Sequence, residues 1–414
     1  MAINSNKDDK KLQAFSKIET LPSYIKLHRA LAMLHRVGAD DIYFMVTKGI
    51  STNKIIIEDK EYINYCGYNY IGMSGDPRVT KATIKAVEEY GSSVSASRIV
   101  SGEKPLHREL ELTIAKLLGV ENSLVFSAGH ATNVSVITSI VGPDDLVIHD
   151  ALIHNSLWQG TLFSRAKHVL FPHNDYEALE RILKKKRNDY ERVLILTEGV
   201  FSMDGDISDV PKLIALKKKY FAFLMVDEAH SMGVIGKHGL GIREYFDINP
   251  ADVDIWMGTL SKSFGSCGGY IAGTHNLIRY LKYTCGGFMF SAGMSPANAA
   301  AALEAIHLLE DEPQRIERLQ QRSQQLLSTL KQIGANTLTS ENTPIIPVMV
   351  RTELNAIRLS HELFKRGILA APIFFPGVKK GTARVRFFVT CLHTEEEIKY
   401  TCEVIKEILS TLKV

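Results

Sequence analysis

Asp227 closes the apolar run Phe221-Ala222-Phe223-Leu224-Met225-Val226, and Lys262 follows 35 residues later, past a second run, Ile255-Trp256-Met257. In open parallel sheets ligands bind beyond the carboxyl ends of the strands, so polar residues directly after such runs are placed for chemistry. Two more runs end this way. Leu194-Ile195-Leu196 leads into Thr197-Glu198-Gly199-Val200-Phe201-Ser202-Met203-Asp204-Gly205, and Leu124-Val125-Phe126 into Ser127-Ala128-Gly129-His130-Ala131-Thr132-Asn133. An acid and a lysine at neighbouring strand ends form either a buried salt bridge or the pair that pyridoxal phosphate needs. In the second case the lysine bonds to the cofactor aldehyde, and the carboxylate keeps the ring nitrogen protonated so that the ring can take up electrons. A phosphate dianion asks in addition for backbone N–H groups at a helix start and for hydroxyls. Gly129-His130 opens such a helix, and Thr259 stands three residues before Lys262.

These residues need a frame to converge. Short apolar runs at Ser123–Phe126, Leu146–His149, Val169–Phe171, Arg192–Leu196, Ala222–Val226, Ile255–Gly258 and Gly269–Ala272 alternate with helical patterns. Continuous rather than alternating apolarity suits strands buried on both faces, the mark of a mostly parallel sheet covered by helices. Asp76-Pro77 reads as an N-cap acid followed by proline at the first helical position. The pattern predicts an α/β architecture: a large doubly wound sheet domain over 61–296, preceded by an N-terminal arm over 1–60. After Pro296 an Ala-rich helix, a polar helix and a mixed segment predict a smaller C-terminal α+β domain over 297–414. Within the arm, Leu21 to Val37 has apolar residues at helical spacing.

The 414 residues are ordinary for a globular chain, with 45% hydrophobic and 23% charged residues. A net charge of +3 argues against a dedicated nucleic-acid binder, which must neutralise many phosphates. The runs Lys184-Lys185-Lys186-Arg187 and Lys217-Lys218-Lys219 read as solvated helix faces. Five widely spaced cysteines, without a CxxC pair, fit free thiols in a reducing compartment and form no zinc knuckle, so no metal is expected. Neither a secretory leader nor a membrane-length apolar run is visible, and a cytoplasmic location is the expectation. Asp227-Glu228-Ala229-His230 has the letters of a helicase box, but the phosphate loop that reading requires is missing. Gly233, Gly236, Gly239 and Gly241 suggest a flexible loop beside the site.

Four stretches, in order along the chain, carry a specific resemblance: Ser97-Arg98-Ile99-Val100-Ser101-Gly102, Glu198 to Gly205, Asp227-Glu228-Ala229-His230-Ser231 and Thr259-Leu260-Ser261-Lys262-Ser263-Phe264-Gly265. From about residue 60 to 395 the chain resembles the α-oxoamine synthases, pyridoxal-phosphate enzymes of the fold-type I aminotransferase superfamily. The resemblance implies a decarboxylative condensation of a small amino acid with an acyl thioester, giving an α-amino ketone, carbon dioxide and free thiol. By position it makes Lys262 the Schiff-base lysine and the base for the Cα proton, and pairs Asp227 with the ring nitrogen. His230 would bond the ring's phenolic oxygen and His154 would stack on the ring. Gly129, His130, Thr259 and Ser202 would help hold the cofactor, with Ser291 coming from the partner subunit of a homodimer. Arg386, the second arginine of Ala383-Arg384-Val385-Arg386, would clamp the substrate carboxylate, with Asn69 and Ser97 also at the substrate.

Tyr68-Asn69-Tyr70 and Ser97 look more like the serine palmitoyltransferase branch, which favours serine or alanine over glycine. Ile373-Phe374-Phe375-Pro376 replaces a stretch that contains an arginine in aminooxononanoate synthases, which favours an apolar acyl chain over a dicarboxylic one. His130 and Leu240 depart from the family pattern as well. The acyl carrier is coenzyme A or an acyl carrier protein. The competing expectations are another fold-type I reaction such as aminotransfer, or a non-catalytic partner subunit; the presence of both Lys262 and Asp227 speaks against the latter.

Overall fold

The computed structural model describes residue 9, residues 12–36 and residues 43–412. Residues 1–8, 10 and 11 of the expected leader, Val37, and residues 413–414 lie outside the described residues. The chain divides into two compact units, residues up to 48 together with 56–60, and residues 49–55 together with 61 onward. In the first, a helix runs over Pro22–Arg36, and the Lys48 ammonium pairs with Asp59 at 2.7 Å.

The second unit is built on seven strands: β1 (Asn122–Phe126), β2 (Leu146–Asp150), β3 (Lys167–Phe171), β4 (Val193–Glu198), β5 (Phe223–Asp227), β6 (Ile255–Thr259) and β7 (Gly269–Gly273). They lie in the order β1-β7-β6-β5-β4-β2-β3, all parallel except β7, which runs antiparallel to both neighbours. Successive side chains go to opposite faces. Thus Ile148, Ile195, Leu224 and Val226 enter one core, while Val147, Leu194, Leu196 and Met225 enter the other. Burial on both faces is why these strands read as unbroken apolar runs.

Helices cover the sheet. Those that matter here are α1 (Pro77–Tyr90), α2 (Pro105–Leu118), α3 (Gly129–Ile140), α4 (Asn155–Ser164), α5 (Tyr176–Lys186), α6 (Val210–Tyr220) and α7 (Pro296–Asp311). Asp76 caps α1 by accepting the Arg78 N–H at 3.0 Å, with proline in the first turn. The lysine run at the end of α6 is ion-paired: Lys217 to Asp254 at 2.6 Å and Lys219 to Glu180 at 2.5 Å. Cations in the last turn also oppose the helix dipole. No helix among the described residues is long and apolar enough to cross a membrane.

Further along, β8 (Ile345–Arg351), β9 (Ala371–Ile373) and β10 (Ala383–Phe388) form an antiparallel sheet in the order β8-β10-β9. It has its own core, including Leu326, Val348, Val385, Phe387 and Ile405. Helix α7, expected to open this smaller unit, instead buries Ala299, Ala302, Ala305, Ile306 and Leu309 in the core of the large sheet. Two arginines two residues apart on β10 share a face and reach the loop after β4. Arg384 Nη1 donates to Asp204 at 2.5 Å, and Arg386 Nη1 donates to the Ser202 carbonyl at 2.7 Å.

The glycine-rich stretch is not a loose loop. Met232, Val234 and Ile235 are buried, the Gly241 N–H donates to the Ile235 carbonyl at 3.1 Å, and Glu228 accepts the Ile242 N–H at 3.1 Å. Gly241 has φ +71°, and a Cβ there would lie 2.5 Å from Glu228 Oε2. The glycines are therefore required by tight, left-handed turns packed on a buried acid.

Candidate active site

The carboxyl ends of β1, β2, β4, β5 and β6 open on one cavity of about 360 Å³. It gathers Gly129, His130, His154, Ser202, Asp227, His230, Thr259, Lys262 and Arg386 from distant parts of the sequence.

At its floor, Asp227 is the last residue of β5 and 4% exposed. Its Oδ2 accepts Asn133 Nδ2 at 2.8 Å, and its Oδ1 accepts the Ala229 N–H at 2.9 Å. The same Asn133 amide donates to Ser156 Oγ at 2.9 Å, which contacts His154 Nδ1 at 2.7 Å. A chain of bonds thus runs from the acid through α3 to the start of α4, where His154 is the cap. Burial lowers the pKa of His154, with the Asp227 charge pulling the other way. His230 is driven well below the ordinary histidine value, mainly by burial and then by Lys262 and Arg386. Its Nδ1 meets the Tyr70 hydroxyl at 2.8 Å. A neutral His230 that accepts that proton at Nδ1 keeps its own on Nε2.

Lys262 follows β6 and is buried, and burial pushes its ammonium down to about 8 against the pull of Asp227 and Glu198. Such an amine is partly neutral at physiological pH, as a nucleophile must be. Arg386 sits 4.3 Å above the Phe388 ring, and its Nε has no partner. It is a guanidinium with one edge tied to Ser202 and a donor left over.

Helix α3 starts at Gly129, so its first N–H groups lack intrahelical partners and point toward the cavity end of β1. The Thr259 and Ser261 hydroxyls stand beside it, 3.2 Å apart. A Cβ on Gly129 would come within 2.8 Å of Thr259 Oγ1, a closeness that only glycine tolerates. This corner fits a phosphate, Asp227 fits a protonated ring nitrogen, and Lys262 fits an aldehyde partner. Gly129→Ala is expected to weaken pyridoxal phosphate binding by about tenfold or more, because the added Cβ pushes the Thr259 hydroxyl out of this corner and a charge-assisted hydrogen bond is lost. Fluorescence titration of the apoprotein checks it, and unaltered affinity would move the phosphate elsewhere.

Three expected residues lie outside this cavity. Asn69 is occupied locally: Nδ2 donates to the Ser51 carbonyl at 3.1 Å and the Ser74 carbonyl at 3.0 Å, and Oδ1 accepts the Ser74 N–H at 3.1 Å. Ser97 forms an isolated antiparallel bridge with Ala292, next to Ser291. Of the family departures, His130 lines the cavity, its ring 6.4 Å from that of His154, and Leu240 packs on the large core. Conversely, the sequence assigns no site role to Asn133, Ser156 or Tyr70. Asn133 was legible in principle, because it lies one helical turn after Gly129 on the face turned to the strand ends.

Fold and site together define a fold-type I pyridoxal-phosphate enzyme. The family model for aminotransferase class I and II matches residues 60–405. The chain is 41% identical over 354 residues to 8-amino-7-oxononanoate synthase of Thermosipho melanesiensis, covering 86% of this chain and 90% of that one. Among solved structures, serine palmitoyltransferase of Sphingomonas wittichii superposes with TM-score 0.90 at 30% identity, over 95% of this chain and 98% of that one. A serine palmitoyltransferase variant from S. paucimobilis with a bound PLP–myriocin aldimine superposes with TM-score 0.91 at 28% identity, over 96% and 99%. The chain belongs to the class I and II aminotransferase family and, within it, to the α-oxoamine synthases. It is an acyltransferase that uses pyridoxal phosphate to condense a small amino acid with an acyl thioester, with loss of carbon dioxide.

Proposed function

We propose that the amino acid is alanine or serine rather than glycine, and that the acyl chain is apolar. The observation that supports an apolar chain is the stretch Ile373-Phe374-Phe375-Pro376, where Ile373 ends β9 and Phe374 packs on the smaller core. Among the described residues lining the cavity, Lys262 and Arg386 are the lysine and arginine, and both have other tasks. A carboxylate at the far end of the acyl chain would be buried there without a cation of its own, which is costly. A second reading rests on the relatives named 8-amino-7-oxononanoate synthase, whose product corresponds to alanine plus a seven-carbon dicarboxylic thioester.

The cofactor supplies an aldehyde for the amino group and a ring that accepts the electrons of the broken Cα–H bond. Asp227, held by Asn133 and Ala229, would keep a proton on the ring nitrogen of the bound cofactor. His154 would pack against the ring and His230 would donate to its oxygen. Arg386 offers the free edge of its guanidinium to the substrate carboxylate, and this orients the Cα–H bond toward Lys262. Lys262, as a free amine, takes that proton onto Nζ. The substrate Cα would then bond to the thioester carbonyl carbon as the thiolate leaves, the carboxylate would be lost as carbon dioxide, and the proton held on Lys262 Nζ would return to that carbon to give the α-amino ketone. The thioester is carried by coenzyme A or an acyl carrier protein.

Ser97 and Ser291 are assigned to the cavity of a second copy in a homodimer. Supporting this are their joint position at the Ser97–Ala292 bridge and the neighbouring Phe290, 85% exposed.

The test is an assay of alanine, serine and glycine against palmitoyl- and pimeloyl-coenzyme A, reading carbon dioxide, thiol and product mass. Palmitoyl-coenzyme A is expected to exceed the pimeloyl donor by at least about tenfold in kcat/KM. The reverse ratio with alanine would install the second reading, and keto-acid-dependent amino transfer without thiol release would overturn both.

A further inference from the structure

One carboxyl group in the cavity has no task in this scheme. Glu198 ends β4 and pairs in register with Asp227 at the end of β5, so the two acids are neighbours across adjacent parallel strands. Glu198 is 3% exposed and lines the cavity. Its Oε1 is buried and has no partner. Both oxygens of Asp227, by contrast, have a protein donor.

Two carboxyl groups this close in a buried site do not both ionise. The bare oxygen decides which keeps the proton. An ionised Glu198 would leave a buried charged oxygen without a donor, whereas the protonated acid places no charge there. The groups facing it from the surrounding elements are Asp227, Lys262, His154, His230 and Arg386. Burial first and Asp227 second drive its pKa well above the ordinary carboxyl value, with Lys262 opposing.

We propose that Glu198 is held as a carboxylic acid, whose retained proton confines the negative charge of the strand-end pair to Asp227. It is thereby a positioning residue that acts through Asp227, distinct from the base Lys262. The inference rests on the proposed function only through Asp227 as the ionised partner of the ring nitrogen.

Glu198→Gln is the discriminating variant, because the amide keeps the size and neutrality of the protonated acid but cannot ionise. Infrared difference spectra of wild type minus E198Q at pH 7 are expected to show the carbonyl stretch of a protonated carboxylic acid. Carboxylate bands in its place would overturn the proposal. Melting provides a second reading. In the unfolded chain this glutamate ionises near pH 4.3, while in the folded chain it keeps its proton, so wild-type stability falls as pH rises above that value and E198Q escapes the loss. The melting temperature of E198Q relative to wild type is therefore expected to climb from pH 5 to pH 8, and a constant difference would overturn the proposal. Neither measurement needs cofactor or substrate, so their failure is separable from failure of the proposed function. In turnover, E198Q is expected to lose no more than about tenfold in kcat/KM, because it preserves a neutral partner for Asp227; a hundredfold loss would overturn the proposal.

Discussion

Lys262→Ala is expected to lower kcat by at least about 10³-fold, since it removes both a covalent anchor and a proton acceptor. After borohydride reduction and digestion, the wild-type peptide spanning Lys262 should carry the cofactor's mass and the variant peptide should not. Lys262→Arg should fail equally, because a guanidinium stays protonated and cannot act as a nucleophilic amine. A pH signature comes with it. Burial brings the Lys262 amine to about 8, so its neutral fraction is about a tenth at pH 7 and about half at pH 8, where an ordinary lysine near 10.4 would be almost wholly charged. Incorporation of cofactor into the apoprotein should accelerate from pH 6 to pH 8 and then level off. A rate still climbing steeply beyond pH 9 would show a solvated lysine and sink the assignment, as would a Lys262→Ala variant within tenfold of wild type.

How much of this was readable from the chain depends on how each residue reaches the cavity. Strands buried on both faces leave contiguous apolar runs, so the ends of β4, β5 and β6, and with them Asp227 and Lys262, stood out directly. The strands expected to end at Leu196 and Val226 run on to Glu198 and Asp227, because these residues are polar yet still in register. Asn133 and Ser156 carry no such mark. Their significance is a bond from α3 to β5 and another to α4, and only the packing of helices on the sheet creates those. Arg386 was legible by resemblance, but its tie to the Ser202 carbonyl and its place over Phe388 depend on the C-terminal sheet meeting the loop after β4. The glycine-rich stretch misled for the opposite reason. Glycine frequency signals backbone freedom, whereas here the φ values are fixed by turns around buried Glu228.

Asp227→Asn should leave the fold intact and cost about 10²- to 10³-fold in kcat, the range for removing one preorganised electrostatic group. The substitution is nearly isosteric. The carbonyl of the introduced amide could still accept the Ala229 N–H, and Asn133, whose Oδ1 lacks a partner, could rotate its own amide to accept from the new side chain. What disappears is the charge. A carboxylate beside the ring nitrogen favours its protonated form by an amount that grows as water is excluded, and each pKa unit corresponds to about 1.4 kcal/mol. Without that charge the nitrogen releases its proton, and the electrons of the Cα–H bond have no cationic ring to enter. The melting temperature of the apoprotein separates this from simple damage: it should stay within a few degrees of wild type, while cofactor affinity and kcat fall together. A variant that keeps more than a tenth of wild-type kcat would show that Asp227 is a strand-end anchor for Asn133 and nothing more, and the electron-accepting role would have to pass to another arrangement.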